Sequence, residues 1–141
     1  MWHRTFDTRL AAWNQLRNQS LVQPVPQALA MINAWWFQTP WIPYHLHWDD
    51  RHTWPDPWQL LDDNLFCSLA RGLGIMYTIA MLDRPDLQDA LLIETDSDNL
   101  VLIDRGKYIL NWDSTTIVNI SPQGMKSRHS VTLEQIKQQL R

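Results

Sequence analysis

The order of apolar patterns predicts an α+β domain with its helices and strands in separate runs. Three observations carry that expectation. Residues 5–37 place their large apolar side chains at helical spacing, and residues 67–82 are apolar nearly all round. Residues 89–112 instead hold short apolar runs cut by turn-forming strings, and a last amphipathic segment follows. The expected arrangement is N-terminal helices and a buried cysteine-bearing helix packed on a small antiparallel sheet. At 141 residues the chain fits one domain, 1–141, large enough to bury a core without staples.

The elements follow in order. "TFDTRLAAWNQLRNQ" aligns Phe6, Leu10, Trp13 and Leu16 on one stripe, with Thr5 as a cap. "QPVPQ" breaks the chain, and Pro26 suits the first turn of a second helix carrying Leu29, Ile32, Trp35 and Trp36. Pro40 stops it. Trp58, Leu60 and Leu61 read as a short helical turn. From Cys67 the run Leu69, Ala70, Leu73, Ile75, Met76, Ile79, Leu82 describes a central, buried helix. Gly72 and Gly74 each cost such a helix about 1 kcal/mol against alanine, which implies close approach of a neighbour. "DALLIET", "NLVLID" and "KYILNW" are strand-like, with "DSDN" as the first turn. "TTIVNI" is a weaker fourth strand ending before Pro122, and "PQGMKSRH" a loop. "TLEQIKQQLR" closes the chain, with Thr132 and Gln135 in capping-box spacing.

Composition narrows the function. A net charge of −3 and a pI near 5.9 lack the clustered basic face that nucleic-acid binding needs. No apolar stretch approaches the roughly 20 residues of a membrane helix. Met1 to Leu10 is polar, unlike a secretory leader. A single cysteine forms no intrachain disulfide and suits a reducing compartment. These features lead us to expect a protein made in the cytoplasm, with neither nucleic acid nor membrane as partner.

Tryptophan is the unusual residue. Nine occur, six of them between Trp35 and Trp58, in a stretch broken by Pro40, Pro43, Pro55 and Pro57. Such a stretch forms no continuous helix. Indoles serve either as internal packing or as interface anchors. Trp41, Trp48 and Trp54 each flank a proline or a charge, and are the residues expected to stay partly exposed and to meet a protein partner. "HLHWDDRH" within the same stretch has no familiar metal-ligand spacing, and we expect no metal and no cofactor.

The stretch "TWPDPWQLLDDNLFCSLARGLGI", followed by "ALLIET", "DNLVLID" and "GKYILNW", brings a family into view. From about Val25 to Ser114 the sequence resembles the bacterial transglutaminase-like cysteine peptidases of the papain-like superfamily. In that family a W-x-x-P-x-x-x-L segment precedes a cysteine that opens a buried helix. The catalytic histidine and aspartate follow on the second and third strands. The resemblance therefore implies a papain-like core with Cys67 at the nucleophile position, Asn99 at the histidine position and Asn111 at the aspartate position. The acidic residue usual two places after the cysteine is Leu69. Asparagine has no usable proton affinity, and loss of a general base alone removes a factor of about 10² to 10⁴. On this alignment Cys67 is vestigial.

Two functions follow. The first is a non-catalytic structural or assembly protein acting through protein contacts. Small Trp-rich domains of this kind also occur among tailed-phage proteins, so the resemblance implies a virion component of the tail or baseplate, bound to other structural proteins or to itself. The second is an active cysteine peptidase or amidase in which Cys67 is served by a displaced histidine.

Overall fold

The computed structural model describes residues 1–43, 45–118 and 127–140. Helices lead, an antiparallel sheet follows and a helix closes the chain, so the architecture is α+β. Helix α1 (Phe6–Leu21) starts at Thr5, whose side chain accepts from Thr8 N, and Trp13 and Leu16 turn inward from it. Helix α2 (Val25–Phe37) has proline in its first turn, as its sequence predicts, and buries Leu29, Ile32 and Trp36. A 3-10 turn (Trp48–Thr53) interrupts the tryptophan-rich stretch. Helix α3 (Pro57–Asp63) then forms behind a complete capping box of Asp56 and Gln59.

Helix α4 (Ser68–Leu82) is the axis of the molecule. Twelve of its fifteen residues are buried, among them Leu73, Ile75, Met76 and Ile79. Burying each such side chain is worth about 1.5–3 kcal/mol, which outweighs the propensity cost of its two glycines. Both glycines face close neighbours. A Cβ on Gly74 would lie 2.4 Å from the Trp36 ring, and one on Gly72 would lie 2.8 Å from Leu92. Thr78 locks the same region: its Oγ1 accepts from Trp13 Nε1 and Trp36 Nε1, both at 2.9 Å, and donates to Gly74 O at 2.7 Å. One buried hydroxyl thus satisfies two indoles.

The sheet runs in the order β3-β2-β1-β4, all antiparallel, with β1 Ala90–Glu94, β2 Asn99–Ile103, β3 Tyr108–Leu110 and β4 His129–Thr132. Leu92, Val101, Leu110 and Val131 join the core cluster that includes α4, whereas Ile93, Leu100 and Ile109 form a separate cluster on the other face. The expected fourth strand is corrected here. Over 115–118 the "TTIVNI" run makes a single bridge, Tyr108 to Val118, and its last two residues lie outside the described residues. The fourth strand is instead made of the last residue of the "PQGMKSRH" loop and the three residues beyond it. Its outer edge is partly closed by Arg51, which donates to Ser130 O at 2.6 Å, one way a sheet edge is protected. Helix α5 (Leu133–Gln139) follows at once, with the expected Thr132/Gln135 capping box.

The tryptophans divide between core and surface. Trp2, Trp35, Trp36 and Phe66 form one aromatic cluster with centroid separations of 4.7 to 5.9 Å. Trp41, Trp58 and Trp112 are exposed. The expectation of exposed indoles therefore holds for Trp41 but not for Trp48 and Trp54, which are buried at 6% and 8% exposure. The 3-10 turn rolls these two rings together, edge to face at 5.2 Å. Trp54 Nε1 donates to His47 O and Trp48 Nε1 to Asn99 Oδ1, so neither ring needs water at its polar edge. Among the described residues no helix is long and apolar enough to cross a membrane.

Candidate functional site

Cys67 is the N-cap of α4, with extended backbone (φ −96°, ψ −179°) that turns its side chain back over the first helical turn. Its sulfur accepts from Ala70 N at 3.5 Å and from Leu46 N at 3.4 Å, and the residue is 4% exposed. Two main-chain donors therefore address Sγ. Among the described residues no imidazole is hydrogen-bonded to it.

Asn111 sits immediately after β3 with φ +68°, a left-handed conformation that asparagine tolerates better than most residues. It is 4% exposed and uses every polar group of its side chain. Nδ2 donates to Ser68 O at 2.8 Å and to Asn99 O at 2.7 Å, and Oδ1 accepts from Arg71 Nε at 2.5 Å. Its main-chain N–H goes to Asn33 Oδ1 at 2.8 Å. One amide thus ties the start of α4, the start of β2 and Arg71 together. The three sequence-selected positions come together around it: Asn111 itself, Asn99, and Cys67 through its neighbour Ser68.

This arrangement has a chemical consequence. An orienting group must present an acceptor to the imidazole it holds. Asn111 presents two donors to carbonyl oxygens, and its acceptor belongs to Arg71. An aspartate here would set carboxylate oxygen against two carbonyls. Asn99 is also engaged, its Oδ1 taking the Trp48 indole proton at 2.8 Å. Leu69, where the resemblance would expect an acidic residue, is core at 3% exposure.

Register places two further groups beside Asn99. Glu94 pairs with Asn99 on one side and with His129 on the other, so all three side chains stand on one face of the sheet. Leu92 and Val101, on that face, pack in the cluster with α4. His129 Nδ1 and Glu94 Oε1 are 2.8 Å apart. The Trp48 ring stacks on His129 (centroids 5.5 Å, 12° between planes) while its N–H reaches Asn99. Trp48 therefore spans this end of the sheet.

Arg71 is one turn beyond Cys67 on α4. Its guanidinium lies 4.0 Å from the Phe37 ring centroid and 5.5 Å from that of Trp41. Burial pulls its pKa below the ordinary arginine value, and the Cys67 sulfur opposes that shift. Trp41 bridges Phe66 in a short parallel pairing, and Ile42 N donates to Phe66 O at 2.8 Å. Exposed Ile42 and Leu65 accompany it in these two segments.

Sequence reasoning overlooked Arg71 and Glu94, and it weighed His129 as a stand-in base but placed it in a loop rather than on β4. Arg71 was open to discovery, because residues four apart share a helix face. The Glu94–His129 pair depends on a strand register that no local pattern reveals. His45 and His47 gather no metal set: among the described residues no three His, Cys, Asp or Glu side chains come together to hold an ion. Comparison with protein-family models, with curated proteins and with solved structures found no match in any of the three.

Proposed function

We propose that this chain is a non-catalytic assembly protein built on a disarmed transglutaminase-like, papain-like core, and that it acts through protein contacts. The observation that carries the reading is the Asn111 amide. Its hydrogen bonds to Ser68 O, Asn99 O and Arg71 turn the place of a catalytic dyad into a structural clamp. A cysteine-capped helix packed against β1 and β2 of an antiparallel sheet fits the resemblance. The polar network suits a retained scaffold whose chemistry has been lost. Exposed Trp41, Trp58 and Trp112 supply the apolar surface that contact with partners needs. A virion tail or baseplate is the setting that accords with the family likeness.

The test compares tagged wild type with Cys67→Ser by size exclusion and light scattering, using the cells that make the protein. Both should form the same complexes with the same stoichiometry. A wild type that forms none, or a Cys67→Ser variant that melts normally yet loses them, would overturn the reading.

One observation favours an active thiol enzyme as a second reading. His129 and Glu94 form a ready base-and-orienter pair at 2.8 Å, and Trp48 spans from that imidazole to Asn99. Were the pair to serve Cys67, His129→Gln would slow alkylation of the thiol in the folded protein. A disarmed site requires no such effect.

A further inference from the structure

Arg71 is clamped but not neutralised. Two aromatic faces and the Asn111 amide fix its guanidinium, yet among the described residues no carboxylate pairs with it. Arg9 and Arg84 are engaged at every guanidinium nitrogen: Arg9 donates to three main-chain carbonyls, and Arg84 to two carbonyls and Asp86. The two terminal nitrogens of Arg71 have no acceptor among the described residues, and the residue is only partly buried. A guanidinium held through Nε presents those two nitrogens as a fork, the geometry that receives a carboxylate with two hydrogen bonds. Trp41 stands beside it at 59% exposure.

We infer that this surface docks an acidic segment of a protein partner, a carboxylate seated on Arg71 and an adjoining apolar side chain laid on Trp41. The inference rests on the assembly reading and gives it a surface. Charge complementarity selects the occupant, since the fork is cationic and no carboxylate pairs with it among the described residues. A single arginine on a chain of net charge −3 does not suit a polyphosphate backbone, which is bound by several cations. A free phosphate would leave Trp41 unused.

The test is a nuclear magnetic resonance titration of the whole chain with acetyl-Leu-Asp-Leu-amide. Acetyl-Leu-Asn-Leu-amide, inorganic phosphate and an oligothymidylate serve as comparisons. The acidic peptide should shift the Trp41 indole and Arg71 Nε signals saturably, with affinity at least about tenfold above that of the Asn peptide. Arg71→Gln should abolish the response and Arg71→Lys restore only part of it. Trp41→Ala, whose ring is exposed and whose loss should spare the fold, should weaken binding on its own. No saturable shift, equal response to both peptides, or tighter binding of phosphate or oligothymidylate would overturn the inference. If wild type still forms its complexes, such a failure leaves the assembly reading standing. If wild type forms none, the assembly reading is what fails.

Discussion

Replacing Thr78 with valine removes one oxygen from the centre of the molecule and changes almost nothing else in shape. Thr78 is fully buried. Its hydroxyl is saturated, with two lone pairs accepting from Trp13 and Trp36 and its proton donated to Gly74 O. In Thr78→Val both indole N–H groups lose their acceptor, in a region where water does not reach the rings. Each buried unsatisfied donor costs about 1–3 kcal/mol, so the variant should lose about 2–6 kcal/mol. Against a typical total of about 5–15 kcal/mol that is a large share. For a chain of this length it corresponds to a fall in Tm of about 6–20 °C. Thr78→Ser keeps the oxygen, drops one methyl and should lose only about 1 kcal/mol. Urea and thermal unfolding of the three proteins, followed by near-ultraviolet circular dichroism, measure the difference. A valine variant as stable as the serine variant would refute the hydroxyl's role as a shared acceptor.

Gly74→Ala should destabilise by about 1–3 kcal/mol despite alanine's better helix propensity, because the new Cβ meets the buried Trp36 ring at 2.4 Å; denaturant titration gives the sign. Asn111→Asp should cost roughly 2–4 kcal/mol, since both side-chain donors vanish and a carboxylate faces Ser68 O and Asn99 O; melting measures the loss, and iodoacetamide should find Cys67 no better activated. Burial, and then the charge of Asp56, push the Tyr77 hydroxyl above its ordinary pKa. The folded state therefore favours the neutral phenol, so Tyr77's contribution is intact below about pH 10 and declines as pH rises beyond it. Tyr77→Phe should lose the hydrogen bond to Pro55 O but also lose that part of the alkaline destabilisation, which unfolding at a series of alkaline pH values will detect.

What the sequence discloses of this fold depends on how local each cause is. Helix α4 is legible because its apolar residues occur on every side. Helices α1 and α5 are legible because Thr5 and Thr132 mark their starts. Gly72 and Gly74 announce close neighbours, though not which ones. Strand β4 escapes because it has four residues, and pairing with β1 rather than any pattern of its own makes it a strand. Trp48 and Trp54 look wet beside their charged and proline neighbours. A 3-10 turn, whose direction no composition conveys, rolls them inward. At the candidate site, the identities of Cys67, Asn99 and Asn111 are visible in sequence. The destinations of the Asn111 donors are not, and those destinations distinguish a clamp from an orienting group.

The most direct measurement of a disarmed thiol is the rate at which iodoacetamide alkylates Cys67, in the folded and the urea-denatured chain, at about pH 8 and about pH 6. A buried Sγ whose hydrogen-bond donors among the described residues are the N–H groups of Leu46 and Ala70 should react more slowly when folded than when denatured at both pH values. His129→Gln should leave the folded rate unchanged. A folded chain that reacts faster than the denatured chain at about pH 6, with the excess abolished by His129→Gln, would contradict the central claim and make Cys67 a working nucleophile.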